Sequence, residues 1–400
     1  MSHLKSRIYK VIKKHKYLLP LRYQRKYFKY VTIKPKGQSK GRVLLSYAVT
    51  SAGMPENHPI FKYHPSPWMS NQILSLFVKR GYTVDCIHYT NRHFIPEKKY
   101  DIIFALKCNL LRLVSFAKQD SDNILKIWHP DISSLEHNNS TEIKRIHDLE
   151  KRRPGALYFP KRQEPYERIE KRVMELSDHC VFLGNKHVLD TFPKEFHHKF
   201  TAITVAATPV YVKQESEFVP KEREFLWHFG NGAVRKGLDL VLETFAKNPQ
   251  WTLNVVGLVG NEHDFMKIYH KELTELPNIK FRGYMKPGSK EFADILKRCI
   301  CFIAPSCTES ISVACATMMQ AGLYPLVSYD TGIELPEGSG IYLEKCSIDE
   351  IEKKVEQIYN MESAELTRQI NKTQKFALKE YSREKFTEDM DNFLSKVAQI

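Results

Sequence analysis

The sequence predicts an α/β protein with two doubly wound, Rossmann-like domains facing each other across a cleft. From Arg42 onward, short β-branched runs alternate with helical patterns, which is typical of parallel sheets covered by helices on both faces. The alternation stops in a polar stretch over residues 211–224 and then begins again. A length of 400 residues also fits two domains better than one hydrophobic core. We therefore predict an N-terminal segment (1–41), a first domain (42–215), a second domain (216–378) and a C-terminal helical segment (379–400).

Eleven segments have the composition of strands. In the first domain they are residues 42–49, 83–89, 101–106, 124–129, 179–184 and 202–207. In the second domain they are residues 224–230, 251–257, 279–284, 299–306 and 324–330. Parallel sheets bind ligands at the carboxyl ends of their strands, so functional residues are expected in the loops that follow these segments.

Composition excludes several classes of protein. The longest apolar stretches are too short to span a bilayer, and the first residues lack the apolar core of a secretory signal, so we expect a cytoplasmic protein. The eight cysteines include no CxxC pair and lie mostly in apolar runs, which favours reduced core thiols over a disulfide or zinc framework. The DxD pattern of Asp389 and Asp391 lies in a helical segment, so we interpret it as a solvated helix face and predict no metal site.

The positive charge is confined to the N-terminus. Residues 1–42 contain 14 Lys and Arg and no Asp or Glu, whereas the rest of the chain has 47 basic and 46 acidic residues. On a helical wheel one face is apolar, with Leu4, Ile8, Val11, Ile12, Leu18 and Leu19. The flanks and the opposite side are basic, with Lys5, Arg7, Lys10, Lys13, Lys14 and Lys16, until Pro20 ends the helix.

Such a basic amphipathic helix has two interpretations. Residues 1–30 could lie on an anionic membrane surface, as a peripheral contact at the inner face of the cytoplasmic membrane. Alternatively, the apolar stripe packs on its own domain. A separate pattern lies beyond this helix, where Tyr23, Tyr27, Phe28 and Tyr30 alternate with basic residues. These basic residues could neutralise phosphates of single-stranded nucleic acid. No recognised nucleic-acid module accompanies them, so a nucleic-acid partner is not expected.

A glycine turn follows the strand at residues 224–230. The segment Gly230-Asn231-Gly232 leads through Arg235-Lys236-Gly237 into an apolar helix. Glycine allows close approach of a ligand, the exposed amides at a helix start favour anions, and a lysine there supplies a point charge for a diphosphate. A purely structural strand-to-helix connection remains the alternative.

A second motif leaves the strand at residues 299–306, turns at Pro305 and enters an apolar helix. We expect Thr308 or Ser310 to cap this helix, and the amides around Ile311 and Ser312 to face a donor diphosphate, beside Ser306. Glu309 is an acceptor-only carboxylate suited to sugar hydroxyls. The alternative for Glu309 is a favourable charge at a helix N-terminus.

Together these residues resemble the retaining glycosyltransferases of the GT4 type (glycosyltransferase group 1), over nearly the whole chain from about Arg42. The resemblance implies the GT-B fold, with the C-terminal helix returning to the first domain. The family pattern of a glycine turn, a Lys-Gly pair and a later PS..E segment corresponds to Gly230, Lys236-Gly237 and Pro305-Ser306…Glu309. It implies that Lys236 binds the donor phosphate and that Glu309, the first glutamate of an E-x7-E motif, contacts the transferred sugar.

Two positions depart from this family pattern. Asn231 occupies the position of the usual arginine, which Arg235 could replace. Thr317 occupies the position of the second glutamate, which usually binds the nucleotide ribose. Because of this departure, the alternative to an active transferase is an altered or inactive enzyme, or a GT-B epimerase.

The first half of the chain resembles a narrower set of bacterial members. The matching positions are Glu142 to Arg145, Arg152-Arg153, Lys161-Arg162 and Gly184-Asn185. The resemblance also places His129 where relatives carry a cleft residue that meets the sugar or the reacting centre. A histidine that is simply hydrogen-bonded at a strand end is the alternative.

The sequence thus predicts a metal-independent, retaining hexosyltransferase without a cofactor, using a UDP- or GDP-linked sugar as its donor substrate. A glycan or glycolipid acceptor, in bacterial surface polysaccharide synthesis, follows from the family resemblance alone. Catalysis would come from positioning and from stabilising charge on the departing diphosphate. The third possibility is a non-enzymatic protein that binds membranes or nucleic acid through its basic N-terminus.

Overall fold

The computed structural model describes residues 30–62 and 64–398. The predicted amphipathic helix, which ends at Pro20, therefore lies outside the described residues. The membrane contact proposed for residues 1–30 stays a prediction. By their contacts the residues form two compact units. Among the described residues, the first contains 30–61, 66–129 and 172–180, and the second contains 62, 64–65, 130–171 and 181–398.

The first sheet has seven strands in the order β1-β3-β2-β4-β5-β6-β7. Its strands are β1 (Tyr30–Ile33), β2 (Gly41–Tyr47), β3 (Tyr82–His88), β4 (Ile102–Leu106), β5 (Leu125–His129), β6 (His179–Leu183) and β7 (Phe200–Ile203). The neighbouring pairs from β3 through β2, β4 and β5 to β6 are parallel, whereas β1 is antiparallel to β3. Strands β3 and β4 are buried along their whole length, as expected for a parallel sheet covered on both faces.

The second sheet has six parallel strands in the order β10-β9-β8-β11-β12-β13. They are β8 (Glu224–Phe229), β9 (Leu253–Gly257), β10 (Ile279–Gly283), β11 (Cys299–Ala304), β12 (Tyr324–Ser328) and β13 (Ile341–Leu343). The first strand of this sheet in the chain, β8, pairs with β9 on one side and β11 on the other. Strand order reverses there, which is where doubly wound sheets open a crevice at their carboxyl ends.

Thirteen α-helices connect and cover these strands in the described part of the chain. They are α1 (Pro65–Lys79), α2 (Asn109–Ser115), α3 (Leu135–Arg152), α4 (Glu167–Leu176), α5 (Lys186–Leu189), α6 (Leu238–Lys247), α7 (His263–Ile268), α8 (His270–Thr274), α9 (Lys290–Arg298), α10 (Val313–Ala321), α11 (Ile348–Tyr359), α12 (Ser363–Glu380) and α13 (Arg383–Val397). Among the described residues, no helix is long and apolar enough to cross a membrane.

The predicted strands are found, with differences at the edges of the sheets. The segment predicted at 202–207 is a strand only to Ile203, because the amide of Thr204 donates to Asp389 (3.2 Å) and that of Ala207 to the Tyr381 carbonyl (2.9 Å) instead of to a strand. Two short edge strands, β1 and β13, were not predicted. Strand β1 has an alternating exposed pattern within the basic N-terminal region, which hides its strand character.

The C-terminal helices lie against the end of the first sheet. Besides the Thr204 amide, Asp389 on α13 accepts a hydrogen bond from Lys385 (2.7 Å). The predicted solvated role is therefore wrong for Asp389, whose carboxylate connects α13 to the residue after β7. The domain boundaries predicted at residues 41, 215 and 378 stay predictions. All eight cysteines are free thiols, and seven of them are buried.

Candidate functional site

The glycine turn after β8 is held by a chain of backbone hydrogen bonds. The amide of Lys236 donates to the carbonyl of Gly232 (2.8 Å), and that of Gly237 donates to Val234 (2.9 Å). Gly232 and Gly237 have φ of +93° and +70°, a conformation that favours glycine. Gly230 and Asn231 are exposed, and a Cβ added at Gly230 would meet nothing within 4 Å. The start of the turn is therefore open to a ligand.

The amides in the middle of the turn already have an acceptor. The carboxylate of Glu262, which follows β9, accepts from the amide of Gly232 (2.5 Å) and from that of Ala233 (3.1 Å and 3.2 Å). The hydroxyl of Tyr158 donates to the same carboxylate (2.7 Å). Glu262 was not predicted from the sequence, although it follows a predicted strand at the carboxyl edge of the sheet.

Gly237 allows the turn to contact the second motif. A Cβ at this position would lie 2.5 Å from Cγ of Pro305 and 2.6 Å from its carbonyl oxygen, which is closer than atoms can approach. The Cys307 amide also donates to the Arg235 carbonyl (3.0 Å). The Lys-Gly pair and the PS..E segment are thus joined directly, through the neighbouring strands β8 and β11.

The segment after β11 is fixed from both sides. On one side, the Ser133 hydroxyl lies 2.6 Å from the Thr308 hydroxyl and the Ser133 amide donates to the Glu309 carbonyl (3.2 Å). On the other side, the Ser328 hydroxyl donates to the Ser306 carbonyl (2.6 Å). The hydroxyl of Ser306 is buried without a hydrogen-bond partner among the described residues.

Lys236 and Glu309 meet in an ion pair between the two motifs. Their side chains are 8% and 14% exposed, so the pair is largely shielded from water. Burial lowers the pKa of Lys236 well below its ordinary value, and the nearby guanidinium groups of Arg235 and Arg162 act in the same direction. The ammonium group also lies 5.4 Å from the centre of the Phe229 ring. The two residues predicted to carry the chemistry are therefore in direct contact.

The helix of the second motif begins later than predicted. Ser312 is the N-cap of α10, where its side chain accepts from the Cys315 amide (3.4 Å), so Thr308 and Ser310 are not caps. The Ser312 amide donates to the carbonyl of Thr331 (2.8 Å) and is not free for a ligand. Gly332 lies so close that a Cβ there would be 2.0 Å from the carbonyl oxygen of Ser310. Contacts with the residues after β12 set this helix start, and no pattern within the motif indicates them.

Two predicted donor-binding side chains already have protein partners. Arg235 is 3% exposed and donates to the side-chain oxygen of Asn138 on α3 (3.0 Å). Thr317 is 2% exposed, and its hydroxyl donates to Val313 (2.7 Å) and accepts from the Thr208 amide (3.0 Å). The donor-binding roles of both residues stay predictions. Arg162 also lies beside the open turn. Its Cγ is 4.0 Å from a Cβ built at Gly232, and the Cβ and Cδ of Arg235 are 3.6 Å and 3.9 Å from the same point.

Several of the other matching positions of the first half have structural partners. The buried carboxylate of Glu142 accepts from the amides of Lys161 (3.0 Å) and Arg162 (3.3 Å) and thereby shapes the loop after α3. Arg152 pairs with Asp239, and Arg153 with Glu272. Asn185 caps α5 by accepting from the Val188 amide (3.1 Å).

His129 ends β5 in the first unit and is 1% exposed. Its ring stacks on Tyr47 with a centroid separation of 5.5 Å, and its Nε2 lies 3.3 Å from the Tyr47 hydroxyl. The structure thus brings His129 together with Tyr47. Its role toward a sugar stays a prediction.

Residues 212–376, which contain both motifs, match the family model of glycosyl transferases group 1. A search among curated protein sequences gives no match.

Several solved structures share the fold at low sequence identity. A sucrose-phosphate synthase from Thermosynechococcus elongatus is 13% identical with a TM-score of 0.63, over 91% of this chain and 100% of that one. The α,α-trehalose 6-phosphate synthase of Burkholderia multivorans is 9% identical with a TM-score of 0.58, over 91% and 97%. Anabaena HepE, solved in complex with UDP and glucose, is 13% identical with a TM-score of 0.51, over 75% and 78%.

These likenesses establish a two-domain, Rossmann-like GT-B architecture, and the family match covers the sheet that carries Lys236 and Glu309. This chain has the GT-B fold, and its residues 212–376 match the model of the glycosyl transferases group 1 family.

Proposed function

We propose that this protein is a retaining, metal-independent glycosyltransferase that moves a sugar from a UDP- or GDP-linked donor to a glycan or glycolipid acceptor. We place the reaction in bacterial surface polysaccharide synthesis, at the inner face of the cytoplasmic membrane. The observation that supports the site is the contact between Lys236 and Glu309 at the carboxyl ends of the paired strands β8 and β11. A cation and an acceptor-only carboxylate in one place match the two ends of a sugar diphosphate.

In this proposal the ion pair opens when the donor binds. The diphosphate takes the place of the Glu309 carboxylate at the Lys236 ammonium group, and the freed carboxylate accepts hydrogen bonds from the sugar hydroxyls. Burial lowers the pKa of Lys236, whereas the negative charge of the diphosphate favours its ammonium form. Once charged, the buried Lys236 acts on the departing phosphate oxygen with little screening by water. Lys236 then stabilises the leaving group where its negative charge develops.

Additional positive charge is needed, because Asn231 stands where the family has an arginine. Arg162 lies beside Gly232, whereas the Arg235 side chain is bonded to Asn138. We therefore assign the supplementary cation to Arg162. The UDP and glucose bound to Anabaena HepE favour a UDP-sugar as the first donor to test.

The test is turnover of candidate donors by the purified full-length chain. UDP- and GDP-sugars are incubated with an acceptor extract, with and without EDTA, and released nucleoside diphosphate is measured. We expect Lys236→Ala and Glu309→Ala to abolish release, and EDTA to leave it unchanged. Lys247→Ala and Glu291→Ala, at exposed positions on α6 and α9, are the matched controls. Full activity in both site variants would refute the assignment.

One observation favours a second candidate, a catalytically altered protein. Thr317 replaces the second family glutamate, and its hydroxyl is engaged by Val313 and Thr208. Donor binding without turnover for every nucleotide sugar would support this candidate. The configuration of the anomeric carbon in any product, measured by NMR, tests whether the reaction is retaining.

A further inference from the structure

A cavity of about 540 Å³ lies in the second unit and reaches Cys307 of the second motif, but the Lys236–Glu309 pair does not line it. Its walls are one face of α3, the residues that follow β12 and β13, and the first residues of α11. Neither Lys236, Glu309 nor any residue of the Gly230–Gly232 turn lines it. Its volume falls within the range of small-molecule sites. Nothing in the proposed transfer reaction uses this cavity.

The lining carries an excess of positive charge. Lys144, Arg145 and Lys345 line the cavity, and none of them forms an ion pair with a carboxylate of the described residues. Nη1 of Arg145 is buried and has no hydrogen-bond partner in the described part of the chain. This nitrogen lies 3.1 Å from a Cβ built at Gly237, so the Arg145 guanidinium is held between the cavity wall and the turn that carries Lys236.

Most of the lining carboxylates have cationic or imidazole partners. Asp148 pairs with Lys151 at 3.1 Å. Asp330 lies 2.9 Å from His137 and 3.2 Å from His187. Its hydrogen bond with His187 raises the pKa of that imidazole. Glu344 is the remaining lining carboxylate and is exposed. Among the described residues, the cavity is therefore lined by three cationic side chains without ion pairs and by one carboxylate without an ion pair, that of Glu344.

The backbone at one wall is held in a fixed conformation. The carboxylate of Glu350 accepts from the amides of Glu344 (2.8 Å), Lys345 (2.9 Å) and Cys346 (2.8 Å). Cys346 is kept at φ +49°, which is unfavourable for a residue with a side chain. The adjoining Ser347 and Ile348 begin α11, a helix of 12 residues, and its N-terminus contributes positive potential at the wall.

We propose that this cavity is a binding site for a phosphate group, carried by a small molecule or present as the free ion. Arginine matches phosphate in a bidentate geometry, and the two lysines add point charges. The volume accommodates a sugar or a similar body attached to the phosphate. The lining shares no residue with the Lys236–Glu309 pair or the Gly230–Gly232 turn, and the proposal does not depend on the proposed function.

The test measures binding of three probes to the full-length chain by calorimetry: inorganic phosphate, glucose 6-phosphate and glucose. We expect both phosphates to bind and glucose not to bind. Tighter binding of glucose 6-phosphate would identify a phosphate ester as the natural ligand, and equal affinities would identify the free ion; either result supports the site. If glucose bound with the same affinity as glucose 6-phosphate, the proposal would be overturned.

Variants locate the binding. Lys144→Gln with Lys345→Gln, both exposed side chains, should weaken phosphate binding at least tenfold. Lys353→Gln with Lys375→Gln removes the same charge from exposed positions outside the cavity and should leave binding within twofold. The tenfold difference should persist in a Lys236→Ala background. Unchanged binding in the cavity variant, or loss of the difference in that background, would place the anion elsewhere and overturn the proposal.

Discussion

Glu262 accepts the amide hydrogen of Gly232, so an internal carboxylate occupies the middle of the turn that was predicted to receive a phosphate. The same carboxylate accepts from Ala233 and Tyr158 and is 4% exposed. Each of these donors would be left buried without a charged acceptor if the carboxylate were lost. Glu262 therefore sets the shape of the turn that carries Lys236.

Glu262→Gln should destabilise the protein. The glutamine side chain keeps one acceptor oxygen, but its NH2 group would face the backbone amides, which are donors themselves. We expect this to lower the free energy of unfolding by about 1–3 kcal/mol. Urea denaturation measures this change. Glu275→Gln, an exposed position after α8, is the control and should change stability by less than about 0.5 kcal/mol. Equal stabilities for both variants would show that the turn holds its shape without Glu262.

Gly237→Ala tests the contact between the two motifs. The new Cβ would overlap Pro305, and the backbone has φ +70°. Gly338→Ala has nearly the same φ, +64°, and open space around the added Cβ. The control should therefore cost only backbone strain, about 1 kcal/mol, whereas Gly237→Ala should cost more and disrupt the alignment of Lys236 with Glu309. Thermal unfolding and donor turnover of the two variants measure the difference, and equal losses would rule out the overlap.

Glu170 should make stability depend on pH. Its carboxylate is 5% exposed and accepts from the Leu135 amide at the start of α3 (2.9 Å), and burial raises its pKa from 4.5 to about 7. The folded state therefore binds more protons than the unfolded state between these values. The free energy of unfolding should fall as pH rises from about 4.5 to 7, by an amount on the order of 3 kcal/mol.

The neutral variant Glu170→Gln should remove this dependence. It should be more stable than the original chain at pH 8 and similar to it at pH 4.5, because glutamine resembles the protonated carboxyl group. Urea denaturation at the two pH values measures both effects. Glu175→Gln, an exposed position on α4, should leave the pH dependence in place. A dependence that persists in Glu170→Gln would assign it to other groups.

Much of the site could be predicted from the sequence, because its motifs follow strands directly. Lys236 and Glu309 come after β8 and β11, and these strands are neighbours in the sheet. The positions of Glu262 and Ser133 could not be predicted, since their hydrogen bonds join residues far apart in the chain. The start of α10 was misplaced because several serines and threonines precede it, and only the contact of Ser312 with Thr331 selects among them.

The edges of the fold were hidden for a related reason. Strand β1 is exposed along one face and contains few core residues, so its pairing with β3, not its composition, makes it a strand. The buried central strands were predicted well because continuous apolar runs are required on both faces of a parallel sheet.

The proposed membrane contact can be tested without disturbing the first sheet. Because β1 begins at Tyr30, a deletion should remove residues 2–29 and keep the strand. We expect the truncated chain to lose binding to vesicles that contain anionic lipid while its binding of nucleotide sugar remains unchanged, since basic residues near an anionic surface each contribute roughly 1 kcal/mol. Vesicle co-sedimentation at low and high salt measures this. Unchanged sedimentation of the truncated chain would refute the membrane contact.

The Lys236–Glu309 pair predicts opposite effects of two substitutions on nucleotide binding. Lys236→Ala removes the cation and should weaken binding of the nucleoside diphosphate product at least tenfold. Glu309→Gln removes the carboxylate that pairs with the Lys236 ammonium group, so the same product should bind equally well or more tightly. The variant's kcat should fall about a hundredfold, because the sugar loses its charged acceptor. Calorimetry with UDP and GDP, together with steady-state kinetics, separates the two effects. If both substitutions weakened nucleotide binding alike, the carboxylate would contact the nucleotide itself, and the assignment of Glu309 to the sugar would be wrong.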